Sequence, residues 1–222
     1  GSEQESRFGH GAAAFTVGRH GPAAAELAGH ASLRADFVDH YRADSDGFDY
    51  ALEERWVRDE GYLALLPRAI AAALQHAGIA ATDVTHFVVQ GPNRFASAVA
   101  RACGIRAETI EPDRHDACGD IGVAHPLLLL GGVLERAAKG STIVVAGFGQ
   151  GCDTLVLRAT GAPAARGRGC QAALDAGVAN DEYLRFATAY AAGMPARGKS
   201  FVYRPVTRSS VPNSVSEAER TR

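Results

Sequence analysis

Between Leu52 and His76 the apolar positions Leu63, Leu66, Ile70 and Leu74 step by three or four, which places them on one face of an amphipathic helix. Pro67 removes a backbone donor within that run and predicts a kink or a restart, and Gly78 stands where the helix should end. The period then changes. "VTHFVVQ", Val84 to Gln90, is short and β-branched and predicts a buried strand, after which Asn93 can cap a helix running through Gly104 with Phe95, Val99 and Cys103 on one side. Gly122 to Ala138 predicts a largely buried helix, and "STIVVAGFGQGCDTLVLRAT" predicts two strands around a glycine-rich turn.

Upstream, "FGHGAAAFTVG", Phe8 to Gly18, predicts a tightly packed strand, followed by an Ala- and Gly-rich connection. In "SLRADFVDHYR" the positions Leu33, Ala35 and Phe37 alternate as in a half-buried strand, and Ala43 to Tyr50 is a polar turn. Beyond Gly161 the chain is looser, with a helix expected at Asp181 to Ala192 and a polar, basic tail from Arg197. The order of strands and helices predicts an α/β layered domain over residues 1–160, a helical extension over 161–196 and a tail over 197–222.

Charge narrows the functional classes. The chain has 23 basic and 25 acidic residues, a formal net charge of -2, and so lacks the basic excess of a nucleic-acid grip. The longest apolar run, Val123 to Leu134, is broken by His125, Pro126, Gly131 and Gly132 and is too short to span a bilayer. "GSEQESRFGHG" lacks the apolar region of a signal peptide, so a cytoplasmic protein without membrane or nucleic-acid partners is expected. Cys103, Cys118, Cys152 and Cys170 show no paired C-x-x-C spacing, and the H-x-x-C of His115 and Cys118 has no matching second pair. Packed, reduced thiols and no metal are therefore expected.

Candidate chemistry gathers at strand ends. "GFGQG", Gly147 to Gly151, is followed by a strand rather than the helix of a dinucleotide-binding turn. It is either an ordinary hairpin turn or a place where backbone N–H groups approach a ligand and hold an oxyanion. Gln90 ends an apolar strand, where ligands of α/β proteins bind; alternatively it and Asn93 only begin the next helix. Asp120 can cap the buried helix, and His125 is either a helix-start histidine bonded to backbone or an imidazole for chemistry.

Three stretches together carry a resemblance: "FGHGAAAFTVG", "THFVVQGPNRFASAVARACGI" and "GDIGVAHPLLLLGGVLERAAKGSTIVVAGFGQGCDTLVLRAT". Over about residues 8 to 160, with Tyr183–Phe186 similar to the tail, the chain resembles the second half of thiolase-superfamily acyltransferases. It is most like hydroxymethylglutaryl-CoA synthase-like proteins and β-ketoacyl-acyl-carrier-protein synthase III. The resemblance implies a thiolase-like layered α/β/α fold whose N-terminal half is absent from this chain, with residues 8–18 as that half's last strand. It implies Claisen condensation or its thiolytic reverse on coenzyme A or acyl-carrier thioesters, with no cofactor.

In such enzymes a cysteine of the first half takes up the acyl group, and groups of the second half assist carbon–carbon bond chemistry. The family's "HQAN" corresponds to "QGPN", so Gln90 stands at the histidine position and Asn93 matches the asparagine. The asparagine of "GNTGAAS" corresponds to Asp120 in "GDIGVAH", and His125 follows at the same mouth. Phe148, Gly149, Gln150 and Gly151 correspond to the glycine loop, with the Gln150 N–H completing an oxyanion hole. The departures are chemical: glutamine cannot exchange a proton near neutral pH, and a carboxylate repels an enolate. Gly147 stands where classical thiolases have a second cysteine, and the nucleophilic cysteine is expected upstream of residue 1. The resemblance also implies a homo- or hetero-oligomer, with a zinc-ribbon/OB-fold protein as a partner. A non-catalytic subunit scaffolding a catalytic partner is the alternative.

Overall fold

A computed structural model describes residues 9, 11–41, 43–44, 50–91, 93–162 and 170. The helix expected at 181–192, the extension and the tail lie outside the described residues. In chain order the elements are β1 (Ala25–Arg34), β2 (His40–Tyr41), β3 (Tyr50–Ala51), α1 (Glu54–Trp56), α2 (Leu63–Ala77), β4 (His86–Val89), α3 (Asn93–Cys103), α4 (His115–Cys118), α5 (His125–Arg136), β5 (Thr142–Gly149) and β6 (Gly151–Ala159). Four strands form one sheet in the order β1-β6-β5-β4, while β2 and β3 make a small separate pair. β4 runs parallel to β5, and β6 is antiparallel to both β5 and β1.

Successive side chains of a strand point to opposite faces, and this builds two cores. Phe87, Val89, Val144, Ala146 and Phe148 pack with Leu66, Ile70 and Val99 beneath α2 and α3. Val88, Ile143 and Val145 face the other way, onto Leu129, Leu130 and Val133 of α5. The result is the helix–sheet–helix sandwich expected of a thiolase-like layered fold. Both faces of β4 and β5 are covered, which is why these strands read as continuous apolar runs.

Pro67 does not break its helix. Glu54 to Ala77 is helical throughout, and its irregularity is a π turn over Val57–Tyr62, where the Leu63 amide bonds to the Arg58 carbonyl. Gly78 closes the helix in the left-handed region (φ 65°), as its position suggested.

Two expectations need correction. Residues 11–18 are not a strand: Gly9 donates its amide to the Asp120 carbonyl at 2.8 Å, and a Cβ on Gly9 or Gly11 would strike Cys118 or Ile121. The small residues there serve close docking on a loop rather than pairing in a sheet. The first strand is instead the Ala- and Gly-rich connection, β1. Its small residues reflect the crossing of α2, because a Cβ on Gly29 would lie 2.7 Å from the Ala77 nitrogen and 2.8 Å from the Ala73 oxygen. Leu33 belongs to β1, whereas Ala35 and Phe37 lie beyond its end. Among the described residues no helix is long and apolar enough to cross a membrane.

Candidate functional site

Parallel β4 and β5 end side by side, and the next residues of each strand begin the site. The Gln90 amide nitrogen continues the ladder to the Ala146 carbonyl at 3.1 Å. Its side-chain oxygen Oε1 accepts from the Phe148 amide, also at 3.1 Å. Because an N–H can only donate, this contact fixes the carboxamide orientation and leaves Nε2 as its donor end. Gly91 (φ 106°) then turns the chain under the Tyr62 ring, and α3 starts at Asn93, whose side chain lies outside what the structure describes. Asn93 is thus the first residue of the helix rather than the residue before it.

Phe148 is buried and anchors an aromatic group. Its ring stacks on Tyr62 (4.4 Å between centroids) and meets Phe37 edge to face (5.5 Å), while Phe37 stacks on Trp56. Burial, with Asp120 and Asp39 adding negative charge, pushes the Tyr62 phenol far above its usual range, so it stays protonated. Tyr62 stands four residues before Leu66, in step with the stripe, which marks it as core; its place beside Phe148 comes only from tertiary contact. Beyond Phe148, Gly149 pairs with Gly151 and Gln150 alone occupies the tip. Gly151 has φ 113°, and a Cβ there would lie 1.9 Å from the Leu33 carbonyl oxygen. Glycine is required at that position by both conformation and space.

The second half of the site is the loop from α4 to α5. Gly119 (φ 68°) and Gly122 (φ 62°) reverse the chain on either side of Asp120. The Asp120 side-chain oxygen Oδ1 accepts from the Gly122 amide at 2.8 Å, so the carboxylate does cap the turn leading into α5. His125, the first residue of α5, is 1% exposed. Its Nε2 lies 2.6 Å from the Asp113 carbonyl oxygen; a carbonyl only accepts, so Nε2 carries the proton. Nδ1 is buried with no hydrogen-bond partner among the described residues. The expectation of a helix-start histidine bonded to backbone therefore holds at one nitrogen and leaves the other open. Burial and the His115 ring lower the imidazole pKa. His115 meets His125 edge to face at 4.6 Å, and one ligating atom each from His115, Asp120 and His125 lies within 4.8 Å of the others. Neither cysteine spacing nor the H-x-x-C of His115 and Cys118 reveals this set, because its members lie on three short segments brought together by the turns at Gly119 and Gly122.

The two halves adjoin: a Cβ on Gly147 of β5 would lie 3.9 Å from Pro126, the neighbour of His125. The cysteines contribute no activated thiol. Burial pushes Cys103 to about 11 and Cys152 to about 12 and also raises Cys170, while the buried Cys118 sulfur donates to the carbonyls of Arg114 and Gly119.

No protein-family model matches the chain. It is 30% identical over 156 residues to a hydroxymethylglutaryl-CoA synthase of Caldivirga maquilingensis, a match covering 69% of this chain and 44% of that protein. The chain thus spans less than half the length of this relative. Among solved structures it is similar to the 3-oxoacyl-(acyl carrier protein) synthase III of Aquifex aeolicus (TM-score 0.54, 15% identity, 63% of this chain and 46% of that one). The corresponding synthase III of Pseudomonas aeruginosa gives TM-score 0.52 and 19% identity over 62% of this chain and 44% of that one. These likenesses are to the fold.

Proposed function

We propose that this chain, a member of the thiolase superfamily, forms part of an acyltransferase that makes or cleaves carbon–carbon bonds of acyl-CoA or acyl-carrier thioesters. The observation that carries the reading is the Gln90–Phe148 hydrogen bond at the paired ends of β4 and β5. It holds a carboxamide with its N–H end available beside the glycine hairpin, the arrangement needed to polarise a thioester carbonyl. Gln90 donates to that oxygen, and the backbone of Gly149, Gln150 and Gly151 supplies further N–H groups, the Phe148 N–H being held by Gln90 itself. Asn93 opens the neighbouring helix, and Asp120 and His125 form the facing polar corner.

Glutamine does not move a proton, so its role here is electrostatic. The nucleophilic thiolate comes from outside the described residues, in keeping with the packed, poorly acidic thiols found within them. It attacks the acyl thioester carbonyl, the carrier thiol leaves, and the acyl group waits as an enzyme thioester for the carbon nucleophile. The segment that carries this cysteine, in the same polypeptide or a separate one, completes the site in a homo- or hetero-oligomer.

A second reading, a non-catalytic subunit scaffolding a catalytic partner, is favoured by one observation. Gln90, Asp120 and His125 each bond backbone of their own chain. The test is turnover of acetyl-CoA by the native assembly with Gln90→Ala and Asp120→Ala. A loss of about a hundredfold or more in kcat for Gln90→Ala, roughly one donor's worth, supports catalysis. Unchanged turnover in both variants favours the scaffold.

A further inference from the structure

We infer that His115, Asp120 and His125 form a binding site for a divalent transition-metal ion of the zinc class. Two imidazoles and one carboxylate are the donor set of catalytic zinc sites that keep a position open. The three ligating atoms already lie within 4.8 Å of one another. One ion bound at about 2.0–2.2 Å would draw them to spacings of about 3.3 Å.

An independent observation points to a ligand. His125 is 1% exposed, its Nε2–H is committed to the Asp113 carbonyl, and its Nδ1 has no partner among the described residues. A buried nitrogen lone pair without a donor is costly in a folded protein, and a cation satisfies it. The surroundings match what metal-binding histidines use. Asp113 serves the pair in two ways: its carbonyl accepts from the His125 ring, and its carboxylate accepts from the His115 backbone amide at 3.2 Å. Outer partners of this kind fix the tautomer and hold the ring for coordination. The backbone turns at Gly119 and Gly122 and the start of α5 hold the three side chains together from three short segments.

The inference stands on this geometry and does not require the acyltransferase reading. Within that reading it answers a difficulty, since a bare carboxylate opposes the charge of an enolate and a cation held by it does not.

The full chain, stripped with a chelator and dialysed, is titrated with Co²⁺ by visible absorption and with Zn²⁺ by calorimetry, without any acyl thioester. About one ion per chain is expected, with Co²⁺ bands of low coordination number. His115→Ala and Asp120→Asn should weaken Zn²⁺ at least about a hundredfold, with circular dichroism unchanged. His40→Ala, an exposed histidine outside the set, should bind as wild type. Absence of saturable binding, or undiminished binding in folded Asp120→Asn and His115→Ala, overturns the site. Acetyl-CoA turnover by Gln90→Ala, a residue outside the set, decides the proposed reaction separately.

Discussion

The Phe148 amide donates to Gln90 Oε1 at 3.1 Å, and this side-chain bond ties the ends of two parallel strands after their own ladder has finished. Gln90→Ala removes the acceptor and leaves the Phe148 N–H half-buried and unpaired. The expected cost is about 1–2 kcal/mol of stability, read as a lower urea midpoint with an unchanged slope. Gln90→Glu keeps the acceptor and should cost less.

Phe148 itself joins the Tyr62, Phe37 and Trp56 rings into one packed group. Phe148→Ala opens a cavity among them and should cost about 3–5 kcal/mol. Phe148→Leu refills much of that volume. Chemical denaturation of the three proteins should rank them wild type, leucine, alanine.

At Gly151 two penalties coincide, a backbone with φ 113° and a carbonyl 1.9 Å from any added Cβ. Gly151→Ala should destabilise the hairpin by at least about 2 kcal/mol, with hydrogen exchange accelerated in β1 as well as β6. An alanine variant as stable as wild type would contradict the packing of Leu33 against this turn.

His125 sets a pH dependence. Burial and His115 hold its pKa below the ordinary 6.5, against the opposing pull of the Asp113 carbonyl and the Asp120 and Asp113 carboxylates. The unfolded chain therefore binds more protons than the folded one as pH falls below 6.5. Stability is full above that value and declines beneath it. In chelator-treated protein, urea midpoints at about pH 8 and about pH 5.5 should diverge more for wild type than for His125→Gln.

The thiols should be inert in the folded state. With burial holding Cys103 near 11 and Cys152 near 12, iodoacetamide at about pH 8 should leave both unmodified while the urea-unfolded chain is labelled throughout. Peptide mass mapping reads the difference.

What the sequence made legible follows from period and punctuation. The stripe of Leu66, Ile70 and Leu74, the apolar run of β4 and the glycine at 78 mark elements whose own residues carry the signal. β1 was hidden because its composition answers to α2, more than forty positions further along the chain: Gly29 is small for the sake of Ala73 and Ala77. The candidate residues Gln90, Asp120 and His125 could be nominated from strand and helix ends. Their partners could not, since the Phe148 amide and the Asp113 carbonyl are backbone groups that any sequence possesses. Tyr62 and His115 joined the site only through tertiary contact.

The pairing of β1 with β6 has a consequence for how such a chain is made. Ser32 bonds to Asp153 across 121 positions, and Ala25 stands opposite Ala159. On a ribosome the first strand of the sheet emerges early and must wait, edge exposed, until its neighbour has been synthesised, a long-range closure that slows folding. The same closure makes the domain nearly circular, for the Thr160 amide reaches the Ala24 carbonyl at 3.0 Å. A linker joining those two positions, with new ends opened at the exposed Lys139–Gly140 turn, would let the β6–β1 hairpin form locally and early, at the cost of the Gly9–Asp120 contact made by the residues before Ala24.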